Sequence, residues 1–278
     1  MVRAPLDSMH IKHTPLAIIG NISHDHVWYG TEQGPSFFGG AGLNVALAAA
    51  YCGIRPCLIS VIGKQDQHLL QELEPFISTA SIALLPGETC QFQMRYSVQG
   101  ALEALSCNFG VAAHLDRHVS QVELTALHTH VCCRAPLHPS YILARLVSMS
   151  ASFSLDFMIS SASQQIQQCK EWIKDAACVF VNQQEYEILK ELYPLQQIRM
   201  LVVTDGNGPI RVHGSGVEIF GVPAPTHVVY EVTSAGDTLA GTFLVYYILQ
   251  KDPLDVAMKK AIAAAQESLQ GPGAWRKC

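Results

Sequence analysis

Short apolar runs recur along this chain, interleaved with segments of helical character. Residues 16–19 (LAII) end at Gly20, residues 178–181 (CVFV) end at Asn182, and residues 200–204 (MLVVT) end at Asp205-Gly206. The stretch at 56–62 fits the same pattern, and those at 126–133 and 152–157 also read as strands. Runs this short, bounded by turn residues, read as strands buried on both faces. Helical segments are expected at residues 43–51, 67–73, 140–149, 164–174, 237–249 and 256–269. Strands that alternate with helices build a mostly parallel sheet. The expectation is therefore an α/β fold in one domain, residues 1–278, because no repeat, low-complexity tract or linker divides the chain.

Two stretches break the alternation. Residues 21–38 are polar and contain glycine, so they read as a loop or small excursion. Residues 91–98 alternate polar and apolar side chains, as a strand with one wet face does. With a turn at Gln99-Gly100 and a run at 102–107, they predict a hairpin projecting from the main sheet. A small β lid is expected from about 88–110, with a short contribution from about 26–38. Residues 226–230 read as extended.

Composition narrows the class. Hydrophobic residues make up 49% and charged residues 15%, enough for a sizeable core. The formal net charge of -5 argues against a general nucleic-acid binder. Nine cysteines without any Cys-x-x-Cys pair suggest buried, reduced thiols in a cytoplasmic protein. No run reaches membrane-spanning length and residues 1–14 lack a secretory h-region, which points the same way.

Several constellations carry chemistry. In Thr233-Ser234-Ala235-Gly236-Asp237-Thr238, small residues precede a helix whose first amides lack partners and attract anions. Such an end can hold a phosphate, with Asp237 placed to take a proton from an attacking hydroxyl. The alternative is a first-turn carboxylate that only starts the helix. Gly39-Gly40-Ala41-Gly42-Leu43-Asn44 opens another helix, and Asn44 can hydrogen-bond hydroxyls. It is neither a Walker A loop nor a dinucleotide fingerprint.

Asn21 and Asp25 follow the first strand, at the end where α/β proteins place ligands. Asn182 and Glu185 follow another; Glu185 could organise Mg²⁺, directly or through water, or the pair could cap its own helix. Thr204, Gly206 and Gly208 border a tight turn, near a nucleotide or simply a turn. His24 with His26, and His128 with His130, read as ordinary polar residues in the absence of a clear third ligand.

Together these segments resemble the ribokinase-like, PfkB-type family of carbohydrate and nucleoside kinases, from about Ala17 to Ala274. The resemblance rests on residues 39–46 (GGAGLNVA), on the Asn182-x-x-Glu185 pair, on Thr204-x-Gly206, and on residues 231–237 (EVTSAGD). It implies a three-layer fold with a small β lid and an ATP-dependent kinase. The acceptor would be a hydroxyl of a sugar or sugar derivative; a nucleoside is the runner-up, and a non-catalytic ligand-binding protein the third reading. By resemblance Asp237 would be the base, with Ser234, Ala235 and Gly236 in the anion-hole loop. Asn21, Asp25, Gly39, Gly40 and Asn44 would hold the acceptor, and Asn182 and Glu185 would support Mg²⁺ and phosphates. Thr204, Gly206 and Gly208 would lie near ATP.

The sequence also departs from the family. Glu231 and Val232 replace the usual Asp-Thr, which leaves a monovalent-cation requirement open, and Ser234 replaces a Gly. Only thirteen residues separate Asp25 from Gly39, so a homodimer through the lid stays open as well. Arg134 stands near where ribokinases carry an acidic sugar ligand. It is expected to pair with a surface acid, or else to meet an anionic group of the substrate.

Overall fold

The computed structural model describes residues 14–97, 102–206, 208–222 and 234–269. In chain order the first elements are β1 (Leu16–Ile19), β2 (Ser23–Tyr29), β3 (Glu32–Gly39), α1 (Ala41–Tyr51), β4 (Cys57–Gly63), α2 (His68–Leu73) and β5 (Ile82–Leu85). Then come β6 (Cys90–Tyr96), β7 (Leu102–Asn108), α3 (Leu115–Gln121), β8 (His128–Cys133), α4 (Pro139–Ser148), β9 (Ser152–Phe157) and α5 (Ala162–Cys169). The last are β10 (Cys178–Asn182), α6 (Gln183–Leu192), β11 (Leu201–Thr204), β12 (Ile210–Gly214), β13 (Val217–Val222), α7 (Ala235–Phe243) and α8 (Leu254–Ser268).

Nine strands form one sheet in the order β13-β12-β11-β10-β9-β8-β1-β4-β5. It is parallel from β11 to β5, and β12 and β13 extend it antiparallel. Side chains alternate across each strand, so each face gathers its own core. One face, with Val131, Leu155, Val181 and Val203, packs against Leu143 of α4, Ile166 of α5 and Leu189 of α6. On the other face, Ile18 and Leu58 meet Leu43 and Leu47 of α1, while Phe180 and Val202 meet Phe243 of α7 and Met258 of α8. The result is the expected three-layer, ribokinase-like α/β architecture. No described helix is long and apolar enough to cross a membrane.

α1 is buried from Ala41 to Ala49, which requires helix and sheet to approach closely. Glycine makes that possible. A Cβ on Gly42 would fall 2.7 Å from the carbonyl carbon of Gly20, just past β1. On α7, a Cβ on Gly241 would sit 2.5 Å from the Val45 carbonyl oxygen of α1. These contacts bring the N-termini of α1 and α7 to the same edge of the sheet.

The structure differs from the sequence expectation in several places. Residues 21–38, read as a loop or small excursion, form β2 and most of β3. The buried side of β2 carries Ser23 and Asp25 before Val27, so its alternation is not hydrophobic and leaves no mark in the sequence. The hairpin of β6 and β7 does not project from the main sheet. It joins β2 and β3 in a separate sheet of order β3-β2-β6-β7. The short β5, and β12 with β13, were not anticipated; on β13, Val217 and Ile219 are exposed and give no inward pattern. Among the cysteines Cys107 is exposed, against the expectation of uniformly buried thiols. The turn at Gln99-Gly100 and the extended stretch at 226–230 lie outside the described residues.

Gly42→Ala tests the close approach. It should destabilise the protein by about 1–3 kcal/mol, the usual cost of overpacking. An unchanged urea midpoint would show that α1 can move away at no cost.

Candidate active site

The C-terminal ends of the parallel strands share one edge, and the sequence-selected residues gather along it. Asn21 follows β1, Asn182 ends β10 and Thr204 ends β11. Two further polar residues lie on that edge: Arg134, directly after β8, and Asp156, next to last in β9.

The acceptor-side residues meet where β3 turns into α1. Gly40 has φ +94, a left-handed conformation that glycine tolerates, and a Cβ there would lie 2.6 Å from the Asn21 carbonyl oxygen. The Gly42 N–H donates to that same oxygen at 3.2 Å. A Cβ on Gly39 would collide with the Asp25 carboxylate. Asp25 is buried and its Oδ1 accepts from Ser23 Oγ at 2.6 Å. Asn21 Nδ2 lies 3.9 Å from the sulfur of Cys90 on β6, which ties this corner to the second sheet.

Asp237 is the third residue of α7 and only 5% exposed. Its Oδ2 accepts from Asn44 Nδ2 at 3.0 Å, and its Oδ1 from Arg134 Nη2 at 2.6 Å. The carboxylate therefore does more than start a helix. No side chain caps this end of α7, and its first intrahelical amide is that of Thr238, bonded to Ser234 O at 2.8 Å. The first amides of a helix have no intrahelical partner, and here these are the amides of Ala235, Gly236 and Asp237. Among the described residues, a Cβ on Gly236 would meet nothing within 4 Å.

Arg134 corrects the sequence reading. It does not pair with a surface acid: its Nη2 also donates to Asp156 Oδ2 at 2.5 Å, so one guanidinium bridges two buried carboxylates. Asp156 was missed altogether. Its signal was a single acid near the end of the strand SFSLDF.

Burial pushes the Asp237 carboxyl up; Arg134 pulls it down, Asp156 pushes it up again, and the balance is raised. Asp156 is raised by burial against the pull of Arg134. Burial disfavours the Arg134 cation, but the two carboxylates outweigh this and raise it well above its ordinary value.

Behind this group runs a polar ladder on β8 and β9. His128 bonds Ser152 and Ser154 at 2.8 and 2.9 Å, and His130 bonds Ser154 at 2.8 Å. Burial lowers both imidazoles to about 3, so both are neutral at physiological pH. His130, Cys132 and Asp156 bring ligand-type atoms within 4.8 Å of one another. The guanidinium already seated on Asp156 repels a cation from that spot, so they are not assigned as a metal site.

Asn182 and Glu185 form a reciprocal cap on α6: Asn182 Oδ1 accepts the Glu185 N–H at 2.9 Å, and Glu185 Oε2 accepts the Asn182 N–H at 2.8 Å. Burial pushes the Glu185 carboxyl up to about 7, against the lesser pulls of the Asn182 amide and Arg134. A buried carboxylate this short of positive charge is one that a divalent cation would suit. Thr204 lies beside Asn182 in the sheet, and Gly206, at φ +50, and Gly208 continue into the turn, where the Gly208 N–H donates to Asp205 O at 2.5 Å. These residues form a second patch on the same sheet edge. Glu231 and Val232 lie outside the described residues.

Between β6–β7 and the loops that follow β8 and β9 is a cavity of about 140 Å³, lined by Phe92, Leu105, Phe109 and Met158 among others. Its wall includes Ala135, the neighbour of Arg134 in the chain.

Comparisons with known proteins bear on the fold and the family. Residues 31–277 match the family model described as pfkB family carbohydrate kinase. A cytidine kinase from Thermococcus kodakarensis is 25% identical over 275 residues, covering 94% of this chain and 98% of that protein. A Burkholderia thailandensis nucleoside kinase in complex with inosine superposes with a TM-score of 0.78 at 16% identity, over 94% of this chain and 92% of that one. A ribokinase from Cryptococcus neoformans in complex with ADP gives a TM-score of 0.77 at 18% identity, over 95% and 96%.

The raised Glu185 carboxyl has a consequence for stability. Between about pH 4.5 and 7 the folded protein holds a proton that the unfolded chain has released, so stability falls as pH rises through that window. Glu185→Gln removes the titration and should be more stable than wild type by about 1–3 kcal/mol at pH 8, with the gap closing near pH 4. Urea midpoints of the two proteins at both pH values measure it, and a gap that does not change with pH would contradict the assignment.

Proposed function

The chain belongs to the pfkB family of carbohydrate kinases and is a phosphotransferase acting on a hydroxyl group; from that premise we propose that it transfers the γ-phosphoryl group of ATP to a hydroxyl of a nucleoside. The observation that carries the choice of acceptor is the aromatic and apolar cavity under the second sheet, which suits a nucleobase better than a bare polyol. The likeness to a cytidine kinase supports the same order. A free sugar is the second reading, favoured by the buried polar pair Asp25 and Asn44, which can hold hydroxyls with or without a base attached. Arg134 does not favour an anionic acceptor, because its Nη2 is already shared by two carboxylates and the trio carries a net charge of -1 (one cation, two anions).

In this mechanism Asn21, Asp25, Gly39, Gly40 and Asn44 hold the acceptor against the N-terminus of α1. Asp237 accepts the proton of the attacking hydroxyl, and Asn44 fixes the orientation of its carboxylate through Oδ2. The amides of Ala235, Gly236 and Asp237, after Ser234, meet the charge that develops on the moving phosphoryl group. Thr204, Gly206 and Gly208 border the nucleotide. Bound with ATP, Mg²⁺ would neutralise phosphate charge, with Asn182 and Glu185 as its supports. The sheet of β2, β3, β6 and β7 acts as the lid that excludes water from the acceptor.

Asp237→Asn should reduce transfer by at least a thousandfold while leaving ATP affinity within about threefold, read by coupled turnover and nucleotide titration. Near-wild-type turnover would remove Asp237 as the base. Gly236→Ala, which meets no described atom within 4 Å, should keep its unfolding free energy in urea within about 0.5 kcal/mol and still lose turnover at least tenfold. A panel of nucleosides and free sugars ranks the acceptors by kcat/KM. Turnover with sugars alone would overturn the nucleoside reading, and none with either class would favour a non-catalytic binder.

A further inference from the structure

Asp156 has no part in the mechanism above, although it is buried, charged and linked through one guanidinium to the proposed base. We propose that Arg134, seated on Asp156, is a positioning residue that aims the Asp237 carboxylate and holds it as the anion needed to take the acceptor's proton. This rests on the reading of Asp237 as base.

The geometry carries the proposal. Arg134 leaves β8 at the end where β9 presents Asp156, and its Nη2 lies 2.5 Å from Asp156 Oδ2 and 2.6 Å from Asp237 Oδ1. Asn44 holds the other oxygen of Asp237 at 3.0 Å. Two fixed donors, one from the end of a strand and one from a helix, leave the carboxylate little freedom to rotate. Neither donor removes its ability to accept another proton, because each carboxylate oxygen has two acceptor sites. Asp156 in turn fixes Arg134, whose long side chain would otherwise choose among many rotamers.

Burial alone would make an unpaired carboxylate at this depth hold its proton, and a protonated Asp237 cannot act as a base. The charged and titratable groups around Asp237 are few. Arg134 is the cation, Asp156 the opposing anion, and Asn44 an uncharged donor. His130 on β8 is held neutral, with its titration lowered to about 3 by burial. Cys132, also on β8, stays a thiol because burial pushes it up. Arg134 is therefore the one cation among the described groups acting on Asp237.

The test measures the pH profile of kcat and, independently, the titration of Asp237 by NMR in protein labelled with ¹³C-carboxyl aspartate. The Asp237 signal is identified by its loss in Asp237→Asn. In Arg134→Met, the acidic limb of kcat and the NMR titration should both move up by about one pH unit or more. At pH 6, kcat should then fall roughly tenfold further than at pH 9, with the KM for ATP unchanged. Arg134→Lys keeps the charge but loses the planar fork, so its limb should stay near wild type while kcat falls at every pH. If Arg134→Met does not fold, the double variant Arg134→Met/Asp156→Asn relieves the unpaired carboxylates. It should show the same upward shift, reduced in size.

An unmoved limb together with an unmoved NMR titration, in the single or the double variant, overturns the proposal. The base reading fails separately: in that case Asp237→Asn remains active, while the NMR titration of Asp237 still reports whether Arg134 acts on it.

Discussion

A carboxylate placed nine-tenths out of water must be paired or it takes up a proton, and this condition on Asp237 organises the surrounding structure. Three elements far apart in sequence converge to meet it. α1 supplies Asn44, the end of β8 supplies Arg134, and α7 brings Asp237 itself. The separations, 193 residues to Asn44 and 103 to Arg134, mean that nothing local could have assembled the group. The second carboxylate, Asp156, then follows from the first: a buried guanidinium between two acids is better satisfied than one facing a single acid.

The same convergence depends on how closely backbones approach. α1 can bring Asn44 to Asp237 because Gly42 lets it lie on Gly20, and α7 can lie on α1 because Gly241 leaves room for the Val45 carbonyl. Close packing of backbone thus sets the reach of polar side chains. The glycines of the motif GGAG serve the fold as much as a ligand. Gly236 differs, since no described atom lies within 4 Å of the place where its Cβ would be. Its smallness is what the proposed anion site at the helix amides would need.

The two patches on the sheet edge also differ in what satisfies them. Among the described residues, the partners of the Asp237 carboxylate are side chains from other elements. Asn182 and Glu185 hold each other's backbone, with Ile159 as a further backbone partner of Glu185, and the helix is capped whether or not a ligand is present. The first patch is therefore the one whose polar groups require the whole fold, and the second the one whose local geometry any α/β protein could share. This asymmetry is why both capping and cation support stayed open for Glu185 in the sequence. The structure adds the raised carboxyl, which capping alone does not relieve.

By itself the sequence determined most of the parallel core of the main sheet, because β1, β4, β10 and β11 are apolar runs closed by turn residues, and that pattern needs no knowledge of partners; the parallel edge strand β5 escaped it. It also located the helices it placed at 43–51 and 237–249, each two residues inside the observed starts at Ala41 and Ala235, and selected Asp237 and Asn44 separately. It could not reveal β2, where Ser23 and Asp25 occupy the buried side and hide the alternation, nor that β2 would join the hairpin of β6 and β7. It could not pair Arg134 with buried acids, since a lone arginine before Ala135-Pro136 reads as surface until the neighbouring strand is known. The tertiary structure decided those points, because the register of β8 against β9 and the contact of α1 with α7 determine which charges share a buried space, and electrostatics in such a space is set by neighbours in three dimensions.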